Sequence, residues 1–317
     1  MFSGGGGWDA GARMLGIKPV FAIEYEPWIA RWHARVFGEH VIEGDVATVD
    51  YRALGRKVGH VDILVSSPPC QATSLSGKRG ATVRAQRGIE RAPSDVCDPR
   101  VGIFTLDAVD AVTPHIVFVE NNEGYEKSEA FKAITSGLRA RGYEVDHRVL
   151  DAADYGVPSA RRRLIIRASK GALPPWPQKV ERVAGWWEAI SDLVESMPVD
   201  KLAPWQQKGL ADNPPPADAG PLLIAGGNPT RTRNGYRVHK TKNERAWATQ
   251  LSPNTSGMRL IVDGVVRRLS TRALARIQGF PDDYPLEGLD RSKAIHVLGN
   301  SVPPLLAARL IEAFARG

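Results

Sequence analysis

The sequence predicts an α/β protein, an open, doubly wound sheet with a smaller second domain, on three observations. Between Pro19 and Arg167, short β-branched runs alternate with helical patterns, which marks a parallel sheet covered by helices. The cluster Gly4–Gly7 opens a helical pattern, as nucleotide-binding turns do. After Ser169, prolines and tryptophans crowd a stretch that cannot hold long helices.

The elements follow in order. Candidate strands are Val20–Ile23, Val41–Glu43, Val61–Val65, Ile116–Val119, Arg148–Leu150 and Leu164–Arg167. Pro27 at a first helical position and Gly38 past the end bracket one helix; Ser128 as N-cap and Gly142 as stop bracket another, with Phe131, Ile134 and Leu138 on one face. Helical patterns return at Ser270–Gln278 and Pro304–Phe314, so the C-terminus is expected to pack back on the first domain. The expected division is a catalytic, cofactor-binding domain over 1–170, completed by 255–317, and a second domain over 171–254. Only Met1, Phe2 and Ser3 precede the glycines, against ~5 residues in an ordinary strand, so the first strand is either very short or trimmed.

Composition excludes several classes. With 43% hydrophobic and 24% charged residues the chain is neither disordered nor fibrous, and its 31 Gly and 23 Pro follow no G-X-Y period. No apolar run approaches the ~18 residues of a membrane span, and the first residues do not read as a leader. Two cysteines, Cys70 and Cys97, cannot staple a chain of this length and are too far apart for a CxxC half-site. A cytoplasmic protein without membrane or metal is therefore expected. The net charge of +7 favours an anionic partner.

Several residues carry candidate chemistry. Gly5-x-Gly7-x-x-Ala10 fits a dinucleotide fingerprint, and Glu24 lies about the ~20 residues on at which an acidic side chain accepts from a ribose. The pattern does not separate a nicotinamide from S-adenosylmethionine. Asp45, in Gly44-Asp45-Val46, is placed to accept from an adenine amine or to be a solvated turn residue. Cys70, after Ser66-Ser67-Pro68-Pro69, stands at a strand's carboxyl end behind two rigidifying prolines, as a nucleophile or as a small buried side chain. A zinc-deaminase reading of Pro69-Cys70 fails because Thr73 stands where a second cysteine is needed. Glu120, at the end of the next strand, is a general acid or a salt-bridged structural carboxylate. The stretch Ser76–Arg91, with Lys78, Arg79, Arg84 and Arg87, reads as a loop that closes on a phosphate backbone or as a solvated basic loop. Arg231, Arg233, Arg237 and Lys240 line a groove or are simply solvated. Trp186 and Trp187 are expected to pack the small domain.

Together these pieces resemble the DNA (cytosine-5) methyltransferase family over nearly the whole chain. Phe2-Ser3-Gly4-Gly5-Gly6-Gly7 is similar to its cofactor loop, Ser67-Pro68-Pro69-Cys70-Gln71 to its nucleophile motif and Glu120-Asn121 to its acid motif. Tyr155-Gly156-Val157-Pro158 with Arg161 and Arg163 is similar to its arginine motif. Arg268–Thr271 through Gln278–Pro281, and Gly299-Asn300-Ser301-Val302-Pro303-Pro304, match its last two motifs. All six stand in the family's order. Two departures occur: Asn122 where Val is usual after Glu-Asn, and Ser159 where Gln usually begins the arginine motif.

The resemblance implies a Rossmann-like, S-adenosylmethionine-dependent enzyme that flips a cytosine out of double-stranded DNA and methylates C5 through a covalent Cys70 adduct. It implies that Glu120 acts at N3, that Asn121 holds its loop, that Arg163 contacts the base oxygen and that Arg161 orients the strand or the thiolate. Phe2 and Tyr25 would flank the adenine, Glu24 would hold the ribose and Asp45 the amine. Gly4, Gly5, Gly6, Gly7, Val46 and Pro69 would complete the cofactor site, and Asn300 with Ser301 would take the methionine end. The 171–254 insertion would recognise the target sequence. A monomer is expected, with a restriction endonuclease as the partner such an enzyme can accompany. Two alternatives stay open. A tRNA cytosine-5 methyltransferase would share the fold, although its expected Cys-Phe-Thr is missing because no cysteine follows Cys97. A nucleic-acid-binding pseudoenzyme would keep the fold without the cofactor.

Overall fold

The computed structural model describes residues 1–69, 99–182, 185–212, 214–215, 220–224, 238–239 and 257–315. The chain divides into two compact units: Met1–Asp151 with Arg162–Pro177 and Ala307–Gly317, and Ala152–Arg161 with Gln178–Leu306.

In the first unit β1 (Ala22–Glu24) and β2 (Val41–Glu43) pair in parallel, Ile23 opposite Ile42. A second sheet runs in the order β3 (Ile63–Ser66), β4 (Ile116–Asn121), β6 (Arg162–Ser169), β5 (Glu144–Asp151). Residues Met1–Ser3 stitch the two sheets: Ser3 N donates to Ile23 O at 3.1 Å, Met1 N to Val65 O at 2.7 Å and Ser67 N to Met1 O at 3.3 Å. These three residues therefore do the work of the expected short first strand.

All six expected strands form, but the sheet is mixed and not parallel throughout. β3 and β4 are parallel, whereas β6 runs antiparallel to both β4 and β5. The reason is the length of the connection. Residues 152–161 are fewer than the roughly dozen that a parallel crossover needs, so the chain turns straight back. β6 is buried along almost its whole length, which hides its direction in the residue pattern.

Helices α1 (Gly7–Met14), α2 (Pro27–Phe37), α3 (Tyr51–Val58), α4 (Thr105–Val112) and α5 (Glu129–Ala140) accompany these strands. Local chemistry sets their ends as expected. Pro27 occupies the first turn of α2 and Gly38 its C-cap, while the Ser128 hydroxyl accepts from Phe131 N at 3.1 Å to cap α5. α3 lies against α4 so closely that a Cβ on Gly55 would strike the Ala111 carbonyl. Ile23, Leu64, Val117, Val119, Ile134, Leu138 and Ile166 form one core. On its edge Trp8 stacks on Phe118 at 5.4 Å, and Phe314 meets Phe118 edge-on at 5.2 Å, so the C-terminal residues do pack back on this unit. Arg167 lies 3.9 Å over the Trp176 ring, which places Trp176 in the first unit.

In the second unit α6 (Trp186–Ile190) and α7 (Pro204–Asp212) are short, as the prolines require. A four-stranded antiparallel sheet runs β10 (Val265–Arg268), β9 (Arg259–Val262), β7 (Leu222–Ile224), β8 (Val238–His239). Val199 bridges Arg267, so this sheet continues across the expected boundary at residue 254. Trp186 is fully buried and meets Trp187 edge-on, in keeping with a packing role. α8 (Thr271–Ile277) is capped by the Ser270 hydroxyl, which accepts from Ala273 N. α9 (Arg291–Asn300) is capped by Asp290, and α10 (Pro304–Ala315) follows it, its residues from Ala307 onward belonging to the first unit. The apolar stretch Arg291–Ala315 is these two core helices, largely buried and interrupted at Ser301–Pro303.

Candidate active site

The glycine loop is built from its backbone outward. Gly4 (φ 50) and Gly6 (φ 66) are left-handed, and Gly6 caps α1. A Cβ on Gly6 would run into the Phe37 ring, so this position needs glycine. Around Gly4 a Cβ would meet nothing within 4 Å, which leaves the backbone open to a ligand. Glu24, 8% exposed at the end of β1, anchors the loop: its Oε2 accepts from Gly4 N at 2.7 Å and its Oε1 from Glu26 N at 3.0 Å. A carboxylate has about four acceptor positions, so lone pairs remain for ribose hydroxyls. Gly5 and Gly7 are buried, Phe2 is half-buried and Tyr25 presents an exposed ring.

At the end of β2 the chain turns through Gly44, whose N–H donates to Glu24 O at 2.9 Å. Asp45 follows, and its Oδ1 accepts from Ala47 N at 2.9 Å. The Val46 side chain is in the core, and its carbonyl accepts from the Tyr51 hydroxyl at 2.9 Å, so only its backbone faces outward chemistry. A cleft of about 380 Å³ lined by Ile42, Thr48, Val49, Leu54 and Lys57 includes no residue of the glycine loop.

The carboxyl ends of β3 and β4 lie side by side because the two strands are parallel. Ser66 and Thr105 hydroxyls meet at 2.7 Å, and the Ser67 hydroxyl accepts from Trp8 Nε1 at 3.1 Å. Pro68 O accepts from Asn121 Nδ2 at 3.0 Å. Glu120 is 6% exposed and its Oε1 lies 2.9 Å from Arg163 Nε. The pairing follows from register: Asn121 stands opposite Leu164 on β6, next to Arg163. Asn122, the departure from the family pattern, has its own task, for its Oδ1 accepts from Gly124 N at 2.8 Å and caps the following turn.

The second unit holds the remaining groups. Arg161, 2% exposed, donates through Nη2 to Gly299 O at 2.7 Å and Ser301 O at 2.9 Å, clamping the end of α9. The Ser301 hydroxyl donates to Val297 O at 2.7 Å. Asn300 is exposed. Ser159, the other departure, is fully buried.

Cys70, Gln71, Lys78, Arg79, Arg84, Arg87, Arg231, Arg233, Arg237 and Lys240 lie outside the described residues, as does Cys97; Pro69 is the last described residue before Cys70. Sequence reasoning missed the bond from Asn121 to the cysteine turn, which no spacing encodes. It also missed α9, although Asp290 followed by Ala294, Ile295, Val297 and Leu298 is a cap-and-face signal.

Comparison with known proteins identifies the family. The profile of the family described as C-5 cytosine-specific DNA methylase matches residues 1–316. The Type II methyltransferase M1.HphI of Haemophilus parahaemolyticus is 28% identical over 351 residues, 99% of this chain and 85% of the relative. The Type II methyltransferase M.AplI of Arthrospira platensis is 30% identical over 264 residues, 80% of this chain and 68% of the relative. Among solved structures, Entamoeba histolytica methyltransferase EhMeth superposes with a TM-score of 0.67 at 15% identity, covering 99% of this chain and 96% of that one. S. pombe Dnmt2 methyltransferase superposes with a TM-score of 0.64, also at 15% identity, covering 99% and 96%. Fold and site thus define an α/β methyltransferase. The chain belongs to the C-5 cytosine-specific DNA methylase family, and its activity is S-adenosylmethionine-dependent DNA (cytosine-5) methyl transfer.

Proposed function

We propose that this enzyme attacks a cytosine flipped from duplex DNA with the thiolate of Cys70, and that the Glu120–Asn121 strand end assembles the chemistry around it. The observation that carries the reading is a pair of contacts on adjacent residues: Glu120 meets Arg163 at 2.9 Å while Asn121 holds the Pro68 carbonyl at 3.0 Å. The acid and the turn leading to the nucleophile are thereby locked to one strand.

C5 of cytosine is a poor nucleophile. When Cys70 sulfur bonds to C6, the ring electron pair moves to C5 and negative charge builds toward N3. Glu120 holds the proton at N3 that stabilises this charge, and Arg163 orients Glu120 and contacts the base oxygen. Once C5 has been methylated and its proton lost, the C6–S bond breaks and Cys70 leaves as thiolate. Arg161 acts at a distance, by fixing the chain at Gly299 and Ser301.

The residues present fit the cofactor. The Gly4 backbone lies open at the head of the buried turn Gly5, Gly6 and Gly7, Glu24 takes the ribose hydroxyls, Asp45 and the Val46 backbone the adenine, Phe2 and Tyr25 its faces, and Pro69 the remainder. S-adenosylmethionine supplies an electrophilic methyl group on a sulfonium. Lys78, Arg79, Arg84 and Arg87 supply positive charge for the phosphate backbone, offsetting the roughly few kcal/mol of unstacking. Arg231, Arg233, Arg237 and Lys240 read the target sequence, as part of the segment that follows the arginine motif. One chain carries every group, so it works as a monomer. The relatives are named Type II methyltransferases, which supports a modification role; a cognate endonuclease is the partner that role would have.

The test is methyl transfer from labelled S-adenosylmethionine by the purified protein. Duplex DNA should take the label on cytosine C5, and tRNA far less. Equal or greater labelling of tRNA contradicts the proposal.

A further inference from the structure

Behind the glycine loop lies a cluster that methyl transfer does not use. Asp9 on α1, His33 on α2 and His40 between α2 and β2 bring a carboxylate oxygen and two ring nitrogens within 4.8 Å of one another. All three residues belong to the first unit. His33 is 0% exposed, and its Nδ1 lies 3.1 Å from the Gly4 carbonyl oxygen. A carbonyl only accepts, so Nδ1 carries the hydrogen and, in the neutral ring, Nε2 carries the lone pair.

In that tautomer the lone pair faces the Asp9 carboxylate, an arrangement that a bound cation completes. His33 Nε2 stands 2.7 Å from Asp9 Oδ2 but makes no aligned hydrogen bond, and His40 Nε2 is likewise buried without a hydrogen-bond partner. Two ring nitrogens and a carboxylate oxygen are thus gathered at the buried His33 ring, with Asp9 and His40 half-buried beside it. Electron-rich atoms so placed call for positive charge between them. Arg13, the nearby cation, is turned elsewhere: it donates to Val36 O at 2.9 Å and lies over the Phe37 ring.

We propose that Asp9, His33 and His40 form a binding site for a divalent transition-metal ion of the zinc class, with water completing the shell. Imidazole nitrogens with one carboxylate suit zinc, cobalt or nickel, whereas magnesium and calcium prefer oxygen ligands throughout. Zinc–nitrogen bonds of ~2.0–2.1 Å put tetrahedral ligands about 3.3 Å apart, so on binding the partly exposed Asp9 draws back from the 2.7 Å it keeps to His33 Nε2 while His40, also partly exposed, closes inward. The Nδ1–H of His33 on Gly4 O is the outer hydrogen bond that orients a ligating histidine. The same bond ties the site to the glycine loop, so metal binding stiffens α1, α2 and that loop together. The cysteine-spacing argument that predicts no metal does not see this site, because residues 9, 33 and 40 follow no ligand-spacing motif.

The experiment uses the full-length protein stripped with a chelator and titrated with Co²⁺ and then Zn²⁺. One equivalent of Co²⁺ should bind with visible d–d bands and without thiolate charge-transfer bands. Zn²⁺ should displace it, and excess Mg²⁺ should not. Zn²⁺ should raise the melting temperature of the wild type, since it binds the folded state. His40→Gln and Asp9→Asn should each weaken binding at least tenfold and remove the melting shift, whereas a Cys70→Ser/Cys97→Ser double variant should bind normally. Because His33 is buried, it is left intact, and the ligand bands of the wild type decide the matter even if a variant fails to fold. No binding by the wild type up to millimolar metal, affinity unchanged in both single variants, or thiolate bands lost only in the cysteine variant overturns the proposal. None of these readouts depends on methyl transfer, so the two readings fail separately.

Discussion

The carboxamide of Asn121 donates to the carbonyl oxygen of Pro68 at 3.0 Å, joining the end of β4 to the turn that runs into Cys70. Both parts of this bond are shielded, Asn121 being 3% exposed. Its Oδ1 is engaged as well, accepting from Asn122 N at 2.9 Å.

Asn121→Ala should therefore lose ~1–3 kcal/mol of stability, because the buried Pro68 carbonyl loses its partner. Turnover should fall on the order of a hundredfold, since a nucleophile displaced by an ångström reacts poorly. Chemical denaturation and single-turnover kinetics measure the two effects. Unchanged turnover in a folded variant would show that this bond does not position the cysteine.

Glu24 and Asp45 should separate in a second pair of variants. Glu24→Ala removes a carboxylate that already receives Gly4 N and Glu26 N, so it should lower both the melting temperature and cofactor affinity. Asp45→Ala removes an acceptor from a turn and should lower affinity alone. Each lost hydrogen bond to a charged group costs ~1.5–3 kcal/mol. Calorimetry with S-adenosylmethionine, run beside thermal melts, checks both; unchanged affinity in both variants contradicts the assignment.

Much of this was legible in the residues, for identifiable reasons. The strands announce themselves as apolar runs between turn residues, and Pro27, Gly38 and Ser128 set helix ends through local chemistry alone. The direction of β6 was not legible, because a strand buried on both faces reads the same either way. The Glu120–Arg163 pair needed the antiparallel register of β4 and β6, which residue types do not carry. Asn122 looks like a defect in a motif until its cap on Gly124 is seen. The cluster of Asp9, His33 and His40 depends on how α1 meets α2, a fact of packing.

The sheet of the second unit makes a prediction about exchanging specificity. Replacing residues 178–268 as a block with the matching segment of a relative keeps β7, β8, β9 and β10 together and leaves Trp176 under Arg167. Such a chimera should fold and methylate the relative's sequence. A swap limited to 171–254 separates β9 from β7 and Arg267 from Val199 and should give poorly folded protein. Mapping methylated cytosines in a plasmid from a methylation-free host reads the outcome, and a well-folded block chimera that still marks the parent's site would place recognition elsewhere.

The most direct measurement of the proposed chemistry traps the covalent step. Fluorine cannot leave C5 as a cation, so a DNA duplex carrying 5-fluorocytosine at the target should halt the enzyme after methyl transfer. The account predicts a denaturant-resistant protein–DNA adduct that accumulates only with S-adenosylmethionine, is absent in Cys70→Ala and is unaffected by Cys97→Ala. An adduct that persists in Cys70→Ala, or that maps by peptide mass to Cys97, would contradict it.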